Sequence, residues 1–114
     1  MTKDQAREGL YELLRTGGVE EFNRQVAAGA KPSLQGADLS GLDLRGLQAA
    51  GLDLTDAYFR NADLRGIDFR TTTLMGTSFA GANISGCYFP DYLTAAEILL
   101  SLQHGTRVRY TPRG

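Results

Sequence analysis

An uninterrupted five-residue repeat runs through the middle of the chain, from Pro32 to Asp91. Twelve blocks follow one another without a gap, and the third position is large and apolar in all of them except at Ala49. The fifth position holds all eight glycines of the segment, and the other four blocks have Asp56, Asn61, Thr71 and Asp91 there. A period of five matches neither the period of about 3.6 of an α-helix nor the period of about 2 of a β-strand.

A chain with this period is predicted to turn a corner after every block, with the third side chain pointing inward. Glycine, asparagine and aspartate suit such corners because they tolerate a left-handed backbone. Four sides close a square coil, so the twelve blocks predict three coils stacked at about 4.8 Å. Stacking places Asp43 beside Asp63, and it places Asp38 beside Tyr58. Both ends of such a core need caps.

Both flanks of the repeats have helical patterns. Residues 4–16 predict an amphipathic helix, and residues 19–28 predict a second one. Thr94 and Glu97 form a capping-box sequence before a third helix that is expected to end at His104. The apolar face of the first helix is expected to contain Ala6, Leu10, Leu13 and Leu14.

The chain is therefore expected to consist of three segments. These are an N-terminal helical cap over 1–31, the repeats over 32–91, and a C-terminal helix with a basic tail over 92–114. A strand is expected over 107–110 of the tail, which carries Arg107, Arg109 and Arg113.

Three blocks, ADLSG (37–41), ADLRG (62–66) and ANISG (82–86), resemble the A-(D/N)-L-x-x repeat of the pentapeptide-repeat proteins. The resemblance implies a right-handed quadrilateral β-helix. With the helical flanks, the expected fold is an all-β solenoid of about three coils, with an N-terminal helical hairpin and a C-terminal capping helix. A wider coil or different turns are expected where the first position departs from the family's usual alanine, at Leu42, Leu47, Leu52 and Ile67.

Charge and composition restrict the classes of partner. With 12 basic and 13 acidic residues the net charge is -1, which argues against a nucleic-acid or anionic-membrane surface. One cysteine excludes an internal disulfide. The N-terminus lacks the apolar core of a signal peptide, and no window is long and apolar enough for a membrane span, so a cytoplasmic protein is expected.

No set of residues in the sequence suggests catalysis, a cofactor or a metal site. His104 is expected to sit at a helix end, where an imidazole suits the helix dipole. Cys87 occupies an inward first position, typical of a packed thiol. Stacking brings Asp43 and Asp63 together, but Arg45 and Arg65 lie beside them, so a structural ladder is predicted. The chain is therefore not expected to be an enzyme.

Two surfaces are candidates for protein contacts. Asp43, Arg45, Asp63 and Arg65 are predicted to form one charged patch, with Tyr58 and Tyr88 pointing outward on opposite sides of the coil. The apolar face of the third helix is broader than a cap needs. Either Tyr92 and the tail cover the excess, or two copies form a homodimer through Tyr92, Leu99, Leu100 and Leu102.

The function expected from these features is that of a non-catalytic interaction or scaffold module. Some members of the pentapeptide-repeat family mimic DNA and bind DNA gyrase, and the resemblance brings topoisomerase binding in as an alternative. Such mimicry needs a strongly acidic column, whereas residues 32–91 carry seven acids and four arginines. A role as a bacterial effector or immunity-type partner is a further alternative that the sequence does not separate from the first.

Overall fold

The computed structural model describes residues 3–110, with side chains from residue 9 onward. It has three helices, α1 (Lys3–Arg15), α2 (Val19–Ala27) and α3 (Ala95–His104), which confirms the helix predictions to within a residue or two. Ala6, predicted on the apolar face of the first helix, and Arg113 of the tail lie outside the residues whose side chains are described. None of these helices is long and apolar enough to cross a membrane.

The repeats contact one another through single-residue bridges between positions twenty residues apart. Six parallel bridges join Asp38 to Tyr58, Asp43 to Asp63, Asp53 to Thr73, Tyr58 to Ser78, Asp63 to Asn83 and Asp68 to Tyr88. The chain therefore returns to the same side after four blocks. We call 32–51, 52–71 and 72–91 the first, second and third coils, and number their four sides in chain order.

Within the described repeats, the pairing does not extend into continuous strands. The physical reason is that each block contains a turn, which leaves one residue per block for bridge pairing. Backbone hydrogen bonds nevertheless link the coils at several positions of a block: Leu39 N donates to Tyr58 O at 2.8 Å, and Gly41 N donates to Arg60 O at 2.7 Å.

The corner prediction is confirmed at ten of the twelve blocks. All eight repeat glycines have a positive φ, and so do Asp56 (60°) and Asn61 (57°). Thr71 and Asp91 do not, and a positive φ would be costly for the β-branched Thr71.

The third position of each block forms the core, as predicted. Ten of these twelve side chains are no more than 2% exposed, and the other two, Ile84 and Phe89 of the third coil, are partly buried. Leu47 and Leu52, in the first positions before and after the small Ala49, are also buried. Phenylalanines stack along the core, with ring centroids 5.5 Å apart for Phe59 and Phe79.

Two threonines at the first position of a block are buried, and both make the same kind of hydrogen bond. The Thr72 hydroxyl donates to Ala49 O at 2.7 Å, and the Thr77 hydroxyl donates to Leu54 O at 3.0 Å. Each acceptor is the carbonyl 23 residues earlier, so a donor at this position can be buried without losing its hydrogen bond.

The N-terminal helices close the first coil with polar as well as apolar contacts. The Tyr11 hydroxyl donates to Asp38 O at 2.8 Å. Asn23 Nδ2 donates to Gly46 O at 2.9 Å, and Asn23 Oδ1 accepts from Gln48 N at 3.0 Å. These side chains bond to backbone groups that have no preceding coil to pair with.

The C-terminal cap covers two sides of the third coil. Ser101 of α3 accepts a hydrogen bond from Phe79 N on side two, and Tyr92 accepts one from Leu74 N at 3.0 Å on side one. No described residue bonds to the backbone N–H of Ile84 or Phe89, on sides three and four. The described part of the cap therefore bonds to sides one and two only, in agreement with the partial exposure of these two side chains.

Two details at this end differ from the sequence prediction. The predicted strand over 107–110 is reduced to one antiparallel bridge, between Ser78 and Arg107, because the third coil offers one bridging residue per side. The Thr94 side chain accepts from Glu97 N at 3.2 Å, as a capping box requires. The Glu97 carboxylate, however, binds the Arg109 backbone N–H at 2.8 Å and its guanidinium at 2.9 Å, and so anchors the tail.

Candidate binding surfaces

Side three carries the predicted charged patch, and the structure brings its four members together. We call Asp43, Arg45, Asp63 and Arg65 the Asp–Arg ladder. Arg45 Nη2 lies 2.7 Å from Asp43 Oδ2, and Arg65 Nη2 lies 2.7 Å from Asp63 Oδ2. Arg45 Nε also lies 3.4 Å from Asp63 Oδ2, which joins the two coils.

The ladder is ordered by its own backbone. Asp43 Oδ1 accepts from the N–H of Arg45 at 3.2 Å, and Asp63 Oδ1 accepts from that of Arg65 at 3.3 Å. Hydrogen bonds from the Arg45 side chain lower the pKa of Asp43 to about 2, and those from Arg65 lower the pKa of Asp63. The carboxylates are therefore ionised at neutral pH, and the ladder presents fixed charges unsuited to proton transfer.

The two predicted surface tyrosines lie in different bridge ladders and do not form one platform. Tyr58 bridges to Ser78 on side two, whereas Tyr88 bridges to Asp68 on side four. Each ring is covered by an arginine: Arg107 lies 5.1 Å from the Tyr58 centroid, and Arg70 lies 4.9 Å from that of Tyr88. Both are cation–π contacts that take part in the chain's own packing.

Side two contains a groove of about 530 Å³ that the sequence reasoning did not identify. It extends from Gly36 in the first coil to Gly105 after α3, and it is lined also by Asp38, Ser40, Tyr58, Arg60, Ser78, Ala80 and His104. It brings the imidazole of His104 close to the phenol of Tyr58 and the guanidinium of Arg60, which lie far earlier in the sequence.

Arg60 is distinctive among the arginines. Of those whose side chains are described, it alone has no carboxylate within ion-pair distance. The sequence did contain a signal for it: Arg45, Arg65 and Arg70 each follow an aspartate by two residues, whereas Arg60 follows Tyr58.

A second groove, of about 550 Å³, lies between the turn before α2 and side three. Its two arginines are occupied, since Arg24 pairs with Glu21 and Arg45 pairs with the ladder. Three carboxylates, Glu20, Glu21 and Asp43, line it beside these two arginines, so it has no arginine free for a ligand.

The predicted dimer residues have unequal environments. Leu99 and Leu100 are 53% and 38% exposed, whereas Leu102 is partly buried against the core. Tyr92 is engaged within the chain, because its hydroxyl donates to Thr72 O at 2.7 Å and its ring contacts Tyr110 at 5.3 Å between centroids. The apolar surface available at this end is therefore centred on Leu99 and Leu100.

Neither Cys87 nor His104 belongs to a catalytic arrangement that the described residues reveal. The Cys87 thiol donates to Leu64 O at 2.9 Å, and burial raises its pKa, which disfavours a reactive thiolate. His104 ends α3, before the left-handed Gly105, as predicted. Among described residues, no group of three potential metal-ligating side chains occurs.

Comparison with known proteins matches part of the repeat region to a family. Residues 53–89 match the family model described as pentapeptide repeats, in eight copies. No curated protein and no solved structure shows significant similarity to the chain.

Proposed function

We propose that this chain, a pentapeptide-repeat protein, acts in the cytoplasm as a non-catalytic protein-binding module. The observation that carries the proposal is the Asp–Arg ladder, whose charged groups are held in register by a hydrogen-bonded backbone. Such a surface loses little conformational entropy on binding, because its side chains are already ordered.

The scaffold that we propose is a right-handed quadrilateral β-helix of three coils, closed by the helices at its ends. It is supported by four series of parallel bridges with a spacing of twenty residues, one series on each side. The buried third positions and left-handed corners agree with such a coil.

We favour a protein partner over DNA gyrase for a specific reason. A DNA mimic needs carboxylates that remain free to replace phosphates, but Asp43, Asp63 and Asp68 each form an ion pair with an arginine. An effector or immunity-type role is compatible with the same ladder, since it too requires binding to a protein.

The test is affinity capture from a lysate of the native organism, with identification of bound proteins by mass spectrometry. The wild type is compared with the double variant Arg45→Gln/Arg65→Gln and with a control, Arg15→Gln/Arg70→Gln, which removes the same charge from α1 and side four. We expect a protein that the wild type and the control retain and the ladder variant loses. Equal retention by all three would contradict the proposal, and recovery of a topoisomerase would favour the alternative.

We also propose that two copies associate through the C-terminal end. Leu99 and Leu100 are exposed there, and Ile84 and Phe89 on sides three and four of the third coil are only partly buried. Light scattering at high micromolar concentration should give the mass of a dimer, and Leu99→Glu/Leu100→Glu should reduce it to that of a monomer. A monomeric wild type would refute this association.

A further inference from the structure

We propose that the groove on side two binds a carboxylate group, supplied by an aspartate or glutamate of an acidic segment in a protein partner. Arg60 is the residue that would recognise it. The inference rests on the proposed protein-binding function and concerns a different face from the Asp–Arg ladder.

Arg60 is available because the repeat lacks its usual acid there. In three other blocks an aspartate two residues earlier binds the arginine, as Asp68 binds Arg70 at 2.8 Å. At the corresponding position before Arg60 stands Tyr58, which cannot form that ion pair. The guanidinium is exposed and has a planar array of donors suited to a carboxylate.

The groove has further donors for the same ligand. The Tyr58 hydroxyl accepts a hydrogen bond from Arg107, which leaves its own hydrogen free to be donated to a bound oxygen. His104 lines the groove from the end of α3, and no hydrogen bond to its ring occurs within the described residues. Arg107 forms an ion pair with Asp56, with Nη1 3.1 Å from Oδ1. This ion pair holds the Arg107 guanidinium beside Tyr58.

The acidic residue of the groove is already satisfied and limits the ligand's charge. Asp38 Oδ1 accepts from the backbone N–H of Ser40 at 3.0 Å, and no ion pair joins this carboxylate to Arg60. Its negative charge nevertheless lines the same cavity. One free arginine beside one aspartate favours a singly charged carboxylate over a doubly charged phosphate.

The shape of the groove depends on small residues in the first and third coils. Gly36, Ser78 and Ala80 flank the longer side chains, so the groove runs across all three coils as far as Gly105. An extended peptide can lie along such a cleft, with one acidic side chain at Arg60.

The experiment is a titration of the ¹⁵N-labelled full chain at neutral pH and low salt, followed by NMR. The probe is an acetylated and amidated Gly-Gly-Glu-Gly-Gly peptide, which carries one carboxylate, and the matched probe has glutamine in place of glutamate. We expect saturable shifts of the Gly36, Ser40, Arg60 and Gly105 amides with the acidic peptide alone. Arg60→Gln should weaken binding by about tenfold or more, as loss of a charge-assisted hydrogen bond predicts.

Two further variants make the test specific. Tyr58→Asp restores the usual acid, so it should weaken peptide binding by a similar factor while Arg60 is retained. Arg24→Gln removes an exposed arginine that already pairs with Glu21, and it should bind the peptide like the wild type.

Several results would overturn the proposal. These are the absence of saturable shifts, equal shifts with the glutamine peptide, unchanged binding by Arg60→Gln, or tighter binding of inorganic phosphate than of the peptide. Because the probe binds without any cellular partner, this titration can fail while lysate capture through the Asp–Arg ladder succeeds, and the reverse also holds.

Discussion

The Oγ atom of Ser101 accepts a hydrogen bond from the backbone N–H of Phe79 at 2.8 Å, and both residues are fully buried. Elsewhere on side two the corresponding N–H bonds to the next coil, as Phe59 N bonds to Ser78 O at 2.8 Å. A serine of α3 thus takes the place of the backbone that a fourth coil would supply.

Replacement of Ser101 by alanine should destabilise the protein by about 1–3 kcal/mol, because the Phe79 N–H would be buried without a partner. Urea denaturation monitored by circular dichroism measures this loss. Ser85→Ala is the control, since Ser85 is an exposed serine of the third coil. Equal stabilities of the two variants would show that Ser101 does not contribute through this bond.

Alanine at Gly76 should be more destabilising than alanine at Gly36. Both glycines have a positive φ, 73° and 68°, so both variants incur a cost of about 1–2 kcal/mol for a left-handed backbone. A Cβ at Gly76 would also lie 2.0 Å from Asp56 Oδ1, whereas one at Gly36 would have no atom within 4 Å. Gly76→Ala must therefore displace the carboxylate that binds Arg107. Thermal melts of the two variants compare these costs, and a Gly36 variant as unstable as the Gly76 variant would contradict the argument.

Truncation of Phe79 should cost more than truncation of Phe89. Phe79 is fully buried and stacks on Phe59, so Phe79→Ala should lose about 3–5 kcal/mol, the usual range for a buried phenylalanine. Phe89, on the fourth side, is only partly buried, so the same change there leaves a smaller cavity. Chemical denaturation at low protein concentration gives both values. A larger loss at Phe89 would mean that this side is covered, as in an associated form.

The Asp43–Arg45 ion pair should affect stability in a defined range of acid pH. The folded pKa of Asp43, about 2, lies below that of an unpaired aspartate. Its contribution is therefore fully present above about pH 4 and is lost as the pH falls through 2. The urea midpoint of Asp43→Asn should thus lie below that of the wild type at pH 6 and approach it near pH 2. An NMR titration of the Asp43 carboxyl carbon should give a midpoint near 2, and Arg45→Gln should raise it. An unchanged midpoint in that variant would show that the ion pair is not the cause of the low pKa of Asp43.

Much of the fold could be predicted because the repeat constrains each block locally. The five-residue period indicated which side chains point inward and which residues stack twenty apart, and the bridges between Asp43 and Asp63 and between Asp38 and Tyr58 agree with it. The capping sequence at Thr94 and the glycine after His104 likewise located both ends of α3. These features depend on backbone preferences and short-range spacing, which a sequence displays directly.

The candidate sites were less predictable because they depend on how distant segments dock. The Asp–Arg ladder followed from the spacing of the repeats, but the groove at Arg60 also requires α3 to place His104 beside the second side. The partner of Glu97 was likewise not evident, since Arg109 reaches it only after the tail folds back.

The sequence by itself determined the coil of twenty residues, the inward third position and the corners, because packing and left-handed turns impose these residue types in every block. Only the tertiary structure decided that Tyr92 and α3 cover two sides of the last coil and leave Ile84 and Phe89 partly exposed. It also decided that α3 borders a groove whose Arg60 forms no ion pair with a described residue. Those outcomes depend on the angle at which a helix meets the end of a core, and no local pattern specifies that angle.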